Sequence, residues 1–218
     1  MESMDTTEPD WTDLAEKRLL EAAIPLAATL GWNAELLAKA AATASLSPGE
    51  CDLVAPNGAR DLAALYSRRH DAAALATLAP VDPSTLKMRE RIRTAVEAWL
   101  DAADAQNAAS RRWAAFLALP ANAPLGLRLA WESADGLWRW AGDTATDENH
   151  YSKRVILGAI LITALGVRLG SGRAAASDYL GHRIENVMQF EAFKAKIKTG
   201  GLAESLAAGL GRLRYGRG

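Results

Sequence analysis

The sequence predicts an all-α protein built as a helical bundle. Three observations lead there. Alanine and leucine dominate a chain of 218 residues that is 50% hydrophobic. Apolar positions recur at three and four residues instead of alternating, which is the helical period. Proline, glycine, asparagine and aspartate cluster where they cut the chain into segments of helical length.

The elements follow in order. Asp13 to Thr29 reads as a first helix with Leu14, Leu19, Ala22, Ala23 and Leu26 on one broad face, bent at Pro25. Leu30-Gly31-Trp32 turns the chain, and Asn33 caps a second helix that runs to about Thr43. Ser47-Pro48-Gly49-Glu50 opens a short third helix with a hydroxyl cap, proline at the first position and an acid at the third. After Pro56-Asn57-Gly58 a longer helix reaches about Leu78 and closes at Ala79-Pro80 and Asp82-Pro83. Further helices are expected over Ser84 to Ala103, Ala105 to Leu119, Pro124 to Trp140, Ser152 to Leu169 and Arg173 to about Lys198.

Three short helices followed by longer ones is the layout of TetR-type regulators, whose second and third helices form a helix-turn-helix. The charge pattern opposes DNA binding. No base lies between Lys39 and Arg60, Glu50 and Asp52 occupy the would-be recognition helix, and residues 1 to 60 hold ten acids against four bases. Reading a duplex requires lysine and arginine at those places. The helix-turn-helix is therefore expected to be vestigial, with a ligand-responsive TetR-type regulator as the alternative function.

Composition excludes several other classes. A net charge of −1 and 23% charged residues describe a globular chain, and Cys51 alone forms neither an intramolecular disulfide nor a multi-thiolate zinc site. Residues 1 to 10 carry four acids and no base, unlike a secretory or transit leader, so a cytoplasmic location is expected. The longest nearly apolar stretch, Val155 to Val167, is thirteen residues, against the roughly 20 that span a bilayer.

The most informative segments are Leu119-Pro120-Ala121-Asn122-Ala123-Pro124-Leu125, Leu129-Ala130-Trp131 and Ala141-Gly142-Asp143-Thr144-Ala145-Thr146-Asp147-Glu148-Asn149-His150-Tyr151-Ser152-Lys153-Arg154. With Leu46-Ser47-Pro48-Gly49 upstream and Arg183-Ile184-Glu185-Asn186-Val187-Met188 downstream, they resemble the ubiquinone-biosynthesis accessory proteins that have a TetR-like fold and bind lipid. The similarity covers about residues 14 to 198. It implies a homodimeric, non-enzymatic protein. Such a protein holds an isoprenoid or phospholipid in a helical pocket and presents quinone intermediates to the pathway's di-iron hydroxylase. Where the family usually reads Asn-Trp-Tyr, this chain has Asn149-His150-Tyr151.

Catalytic motifs are not apparent. A di-iron carboxylate bundle needs paired Glu-x-x-His elements, but His70, His150 and His182 are preceded at that offset by Ser67, Asp147 and Tyr179. No Gly-x-Ser-x-Gly elbow or phosphate-binding glycine loop occurs. No metal or cofactor is expected. Asp143, Asp147, His150, Tyr151 and Lys153 read either as a partner-binding surface or as a helix start, with Thr146 as N-cap and acids in the first turn.

The lipid pocket is expected along two helices. Leu127, Trp131, Ala134 and Trp138 share one face, and Val155 to Ile162, with Ile156, Ile160 and Leu161, is apolar all round and expected to be buried on every side, by core, by a dimer partner or by ligand. Arg154 at its mouth is a candidate for a phospholipid phosphate, or a solvated arginine. Beyond Thr199-Gly200-Gly201, Leu202, Leu206, Leu210 and Leu213 form a stripe with Arg212 and Arg214 nearby, the form of an interfacial membrane helix. A disordered tail or a helix folded onto the body is the other reading of that segment. The expected organisation is a disordered acidic N-terminus over 1–11, a TetR-like lipid-binding domain over 12–198 and an amphipathic basic tail over 199–218, peripherally associated with the inner membrane.

Overall fold

The computed structural model describes residues 10–143 and 148–198, and every helix expected there is present. The order is α1 (Trp11–Leu30), α2 (Ala34–Thr43), α3 (Pro48–Val54), α4 (Ala59–Leu78), α5 (Met88–Asp104), α6 (Asn107–Ala118), α7 (Ala123–Trp140) and α8 (Glu148–Lys198). The fold is all-α and TetR-like, with α2 and α3 in helix-turn-helix order.

The caps form as the sequence implies. The Asn33 side chain accepts a hydrogen bond from the Leu36 amide at 2.9 Å. Ser47 and Glu50 form a reciprocal capping box, the Ser47 amide donating to Glu50 Oε2 at 2.7 Å. Two expectations are corrected. The first helix is 20 residues long, not short, and begins at Trp11. The helix expected from Ser84 starts only at Met88, because Asp82 accepts the Ser84 amide and closes a 3-10 turn over Pro83–Thr85, after which Leu86 is extended.

Packing places α4 against α5 and α7, α7 against α8, α5 against α8, and α1 against α2 and α6. Under α4 an aromatic cluster ties these layers together. Trp32 and Tyr66 have ring centroids 4.8 Å apart, and His70 lies edge-on to both Tyr66 and Trp113. Indole N–H groups find carbonyls, Trp32 on Ala109 and Trp113 on Ala63. The buried Arg168 clamps α8 to α5 through Asp101 at 2.7 Å and Asp104 at 2.8 Å. Burial raises the Asp104 carboxyl, but Asn107 and Arg168 outweigh it and hold it below the usual range.

The last two expected helices are one element, broken at Gly172, where φ is 86° and ψ −176°. That backbone conformation belongs essentially to glycine. Leu169 before the break and Ala176 and Leu180 after it are all buried. The helix His150–Asn186 contains an 18-residue window of mean hydropathy 1.8, which by length and composition alone is apolar enough to cross a membrane and is longer than the thirteen-residue stretch read from the sequence. Of that window, 44% is buried within the bundle.

Within the chain itself, the stretch Val155 to Ile162 is enclosed on one side. Leu157, Ile160 and Leu161 face the bundle, whereas Val155 is 60% and Ile162 46% exposed. One face of α8 packs on α7 and α5, while Val155, Ala159 and Thr163 border a groove with Arg183 and Asn186 of the half of α8 that follows Gly172.

Candidate functional site

An apolar cavity opens between α4, α5, α6, α7 and α8 and has a volume of about 400 Å³. Small residues create it. Ala114, Ala118, Ala123, Gly126, Ala130 and Gly166 leave space among Trp99, Trp113, Leu117, Leu129, Leu161 and Leu165. The two indoles are pinned from behind. Trp99 Nε1 donates to Asp71 Oδ1 at 2.8 Å and Trp113 Nε1 to the Ala63 carbonyl at 2.9 Å, so their ring carbons are left to line the space. Buried Ser67 and Ser133 supply the polar side chains of an otherwise apolar lining that contains no charged residue. The volume lies in the range of small-molecule sites.

The expected pocket residues do not converge on this cavity. Leu127 and Leu161 line it, while Ile156 and Ile160 line a separate groove with Val155, Ala159, Thr163, Arg183 and Asn186. Trp138 donates to the Lys153 carbonyl at 3.1 Å, and Trp131 meets the rings of His150 and Tyr151. The α7 face that walls the cavity is instead Gly126, Leu129, Ala130 and Ser133, rotated from the expected stripe. Trp99, Trp113 and the two serines were not expected in the site. Their convergence is a long-range consequence of packing, with no local spacing to announce it.

Arg154 is also placed differently. It does not stand at a solvated mouth but is 2% exposed, with Nε donating to Asp135 at 2.5 Å and Nη1 to Asp143 at 3.1 Å and to the His150 carbonyl. Those bonds occupy the guanidinium that a phosphate would need. Lys153 reaches the other Asp143 oxygen at 2.6 Å. Burial pushes the Asp143 carboxyl up, but Lys153 and Arg154 outweigh it and hold it below the ordinary carboxylate range. Asp143 is thus an internal brace between the end of α7 and the start of α8, not a surface acid.

The rest of the expected partner patch is a surface. Tyr151 is 63% exposed, and its ring centroid lies 5.2 Å from that of His150 and 6.0 Å from that of Trp131. Lys153 lies 5.3 Å over the Trp138 ring. Asp147, the expected Thr146 cap and the tail residues Leu202, Leu206, Leu210, Leu213, Arg212 and Arg214 lie outside the described residues.

The cavity wall from α7 and α8, the Arg154 brace and the Tyr151 surface all fall within residues 123–191, the segment matched by the family model described as COQ9. The resemblance is to the COQ9 family. Similar proteins named "Ubiquinone biosynthesis protein COQ9, mitochondrial" occur in Bos taurus, 27% identical over 204 residues, covering 89% of this chain and 63% of the relative. Those of Rattus norvegicus and Homo sapiens are 27% and 26% identical, each over 89% of this chain and 65% and 64% of their own lengths. The chain spans just under two thirds of the length of these COQ9 relatives.

Proposed function

We propose that this chain is a non-enzymatic, lipid-binding accessory protein of ubiquinone biosynthesis. It holds an isoprenoid or phospholipid tail in the bundle cavity and presents quinone intermediates to a di-iron hydroxylase at a membrane surface. The observation that carries this reading is the apolar cavity of about 400 Å³, whose α7 and α8 walls lie inside the COQ9-like segment. The exposed Tyr151, stacked beside half-buried Trp131 and His150, supports a protein partner at the same end of α8. The exposed Val155 and Ile162 side chains of α8 support association with a second copy. Acidic Glu50 and Asp52 on α3 speak against the DNA-binding alternative.

Native mass spectrometry of the purified protein, with organic extraction, tests the reading. Bound isoprenoid or phospholipid on a dimer is expected. Protein prepared from quinone-producing cells that yields no extractable lipid overturns it. Peripheral attachment is tested separately on anionic liposomes. Removal of residues 199–218 is expected to abolish binding that salt weakens, since the stripe of leucines with Arg212 and Arg214 is the element assigned to it.

A further inference from the structure

The cavity is smaller than a long lipid tail. About 400 Å³ is roughly a dozen water volumes, room for on the order of a dozen chain carbons, so a polyprenyl tail of any length overfills it. Two of its lining residues stand at the mouth, Leu127 at 65% and Ile162 at 46% exposed. From there an apolar seam follows the outer junction of α7 and α8. Trp131 lies one turn beyond Leu127 on the same face of α7, and Tyr151, 63% exposed, lies three turns from Ile162 on the same face of α8. The Trp131 and Tyr151 rings meet at 6.0 Å and join the two rows at their far end. Beneath the seam the helices close on each other. A Cβ on Gly158 would meet the Ala130 carbonyl oxygen at 3.4 Å, and the cavity lining stops short of Gly158 and Trp131.

Resting on the reading of this cavity as a lipid site, we infer that only the end of the tail occupies it, and that the remaining hydrocarbon lies along the outer α7–α8 seam from Leu127 and Ile162 to Trp131 and Tyr151. The seam thereby carries the head from the cavity mouth to the end of α8 assigned to the partner protein. Continuity selects the occupant. The chain that fills the apolar interior emerges between Leu127 and Ile162, and it leaves water by covering the apolar side chains next to that mouth. A second copy resting on Val155 and Ile162 would cover the seam and shield the tail further. The register also sets a length. Ile162 and Tyr151 are eleven residues apart, about 16 Å of helix. A fully extended chain advances about 1.2 Å per bond, so the seam takes about as much chain as the cavity. A tail of about five or six isoprene units spans both, whereas a geranyl tail is used up inside.

The test uses the full-length, delipidated protein and two phenols that differ only in their tails, geranylphenol and hexaprenylphenol, each with a diazirine on the ring. In the wild-type protein the geranylphenol ring is expected to label the mouth, residues 123–127 or 162–166. The hexaprenylphenol ring is expected to label Trp131 or residues 148–151. Trp131→Gln is expected to weaken hexaprenylphenol about five- to tenfold and to leave geranylphenol unchanged. Should that variant fail to fold, the wild-type labelling decides alone. Labelling at the mouth by both rings, or an equal response of the two phenols to Trp131→Gln, overturns the seam, which then belongs to a second copy or to the partner protein, and leaves the lipid site standing. Failure of both phenols to bind wild type overturns the lipid site itself.

Discussion

Arg154 and Asp143 face each other as a desolvated ion pair, Nη1 to Oδ2 at 3.1 Å, with 2% and 5% of their side chains exposed. Breaking such a pair strands a charge in the interior, at a cost of about 3 to 5 kcal/mol. Arg154→Ala is therefore expected to lower unfolding stability by about that amount, measured by urea denaturation. Lys153→Ala, at the more exposed end of the same network, is expected to cost about 1 kcal/mol or less. Combining Arg154→Met with Asp143→Asn should recover much of the loss. A single-variant loss below about 1 kcal/mol would show that the pair is solvated.

His70 predicts an acid-sensitive fold. Both ring nitrogens are buried without a hydrogen-bond partner, and burial, aided by the Arg69 charge, depresses its pKa from 6.5 to about 4. The unfolded chain thus binds a proton that the folded chain refuses, so stability falls as pH drops below 6.5 toward 4. Relative to His70→Phe, wild type should lose about 2 kcal/mol between pH 7 and pH 5. Asp71, whose carboxyl burial pushes up, contributes in the opposite direction, but it is present in both proteins and cancels in the comparison. Parallel stability curves for the two proteins over that range would refute the assignment.

Gly166 offers a way to close the cavity without harming the fold. It lines the space, lies within α8, and an added Cβ would meet no atom within 4 Å. Gly166→Leu should hold or raise the melting temperature, since leucine is favoured over glycine in a helix interior by up to about 1 kcal/mol. Extractable lipid should decrease. Undiminished lipid in a folded variant would place the ligand elsewhere, for instance in the groove beside Ile156 and Ile160.

Tyr151 separates a partner contact from a structural role. With its ring mostly in solvent, Tyr151→Ala should leave the melting temperature nearly unchanged and weaken hydroxylase binding by about 1 to 3 kcal/mol, read by calorimetric titration. A lower melting temperature with unaltered affinity would assign the ring to packing against Trp131 and His150.

Helices were legible because their signals are local. Ser47 with Glu50 and Asn33 with Leu36 act within one turn, so the sequence carries both partners of each bond. The site was legible only in part, for the complementary reason. Leu127 and Leu161 do reach the cavity, but the stripe through Trp131 and Trp138 has the right period and turns to a different neighbour. Arg154 looked like a headgroup ligand because its partner Asp135 lies on another helix, nineteen residues back, and a linear reading does not bring the two together. The buried Ser133 hydroxyl beside Asp71 has no sequence signature at all, since a serine in a helix ordinarily bonds within its own turn.

The break at Gly172 sets a length. A continuous helix of 51 residues would extend about 76 Å, two and a half times the roughly 30 Å of α1 or α4, and its far half would project beyond the bundle. One residue in a conformation essentially reserved for glycine folds that rod back, so that Ala176 and Leu180 return to the same interior as Leu169. Gly172 is therefore a ruler as well as a corner. A side chain at this position favours the unbroken rod, whose displaced half would find its seat only on a second molecule, exchanging a compact monomer fold for a domain-swapped pair.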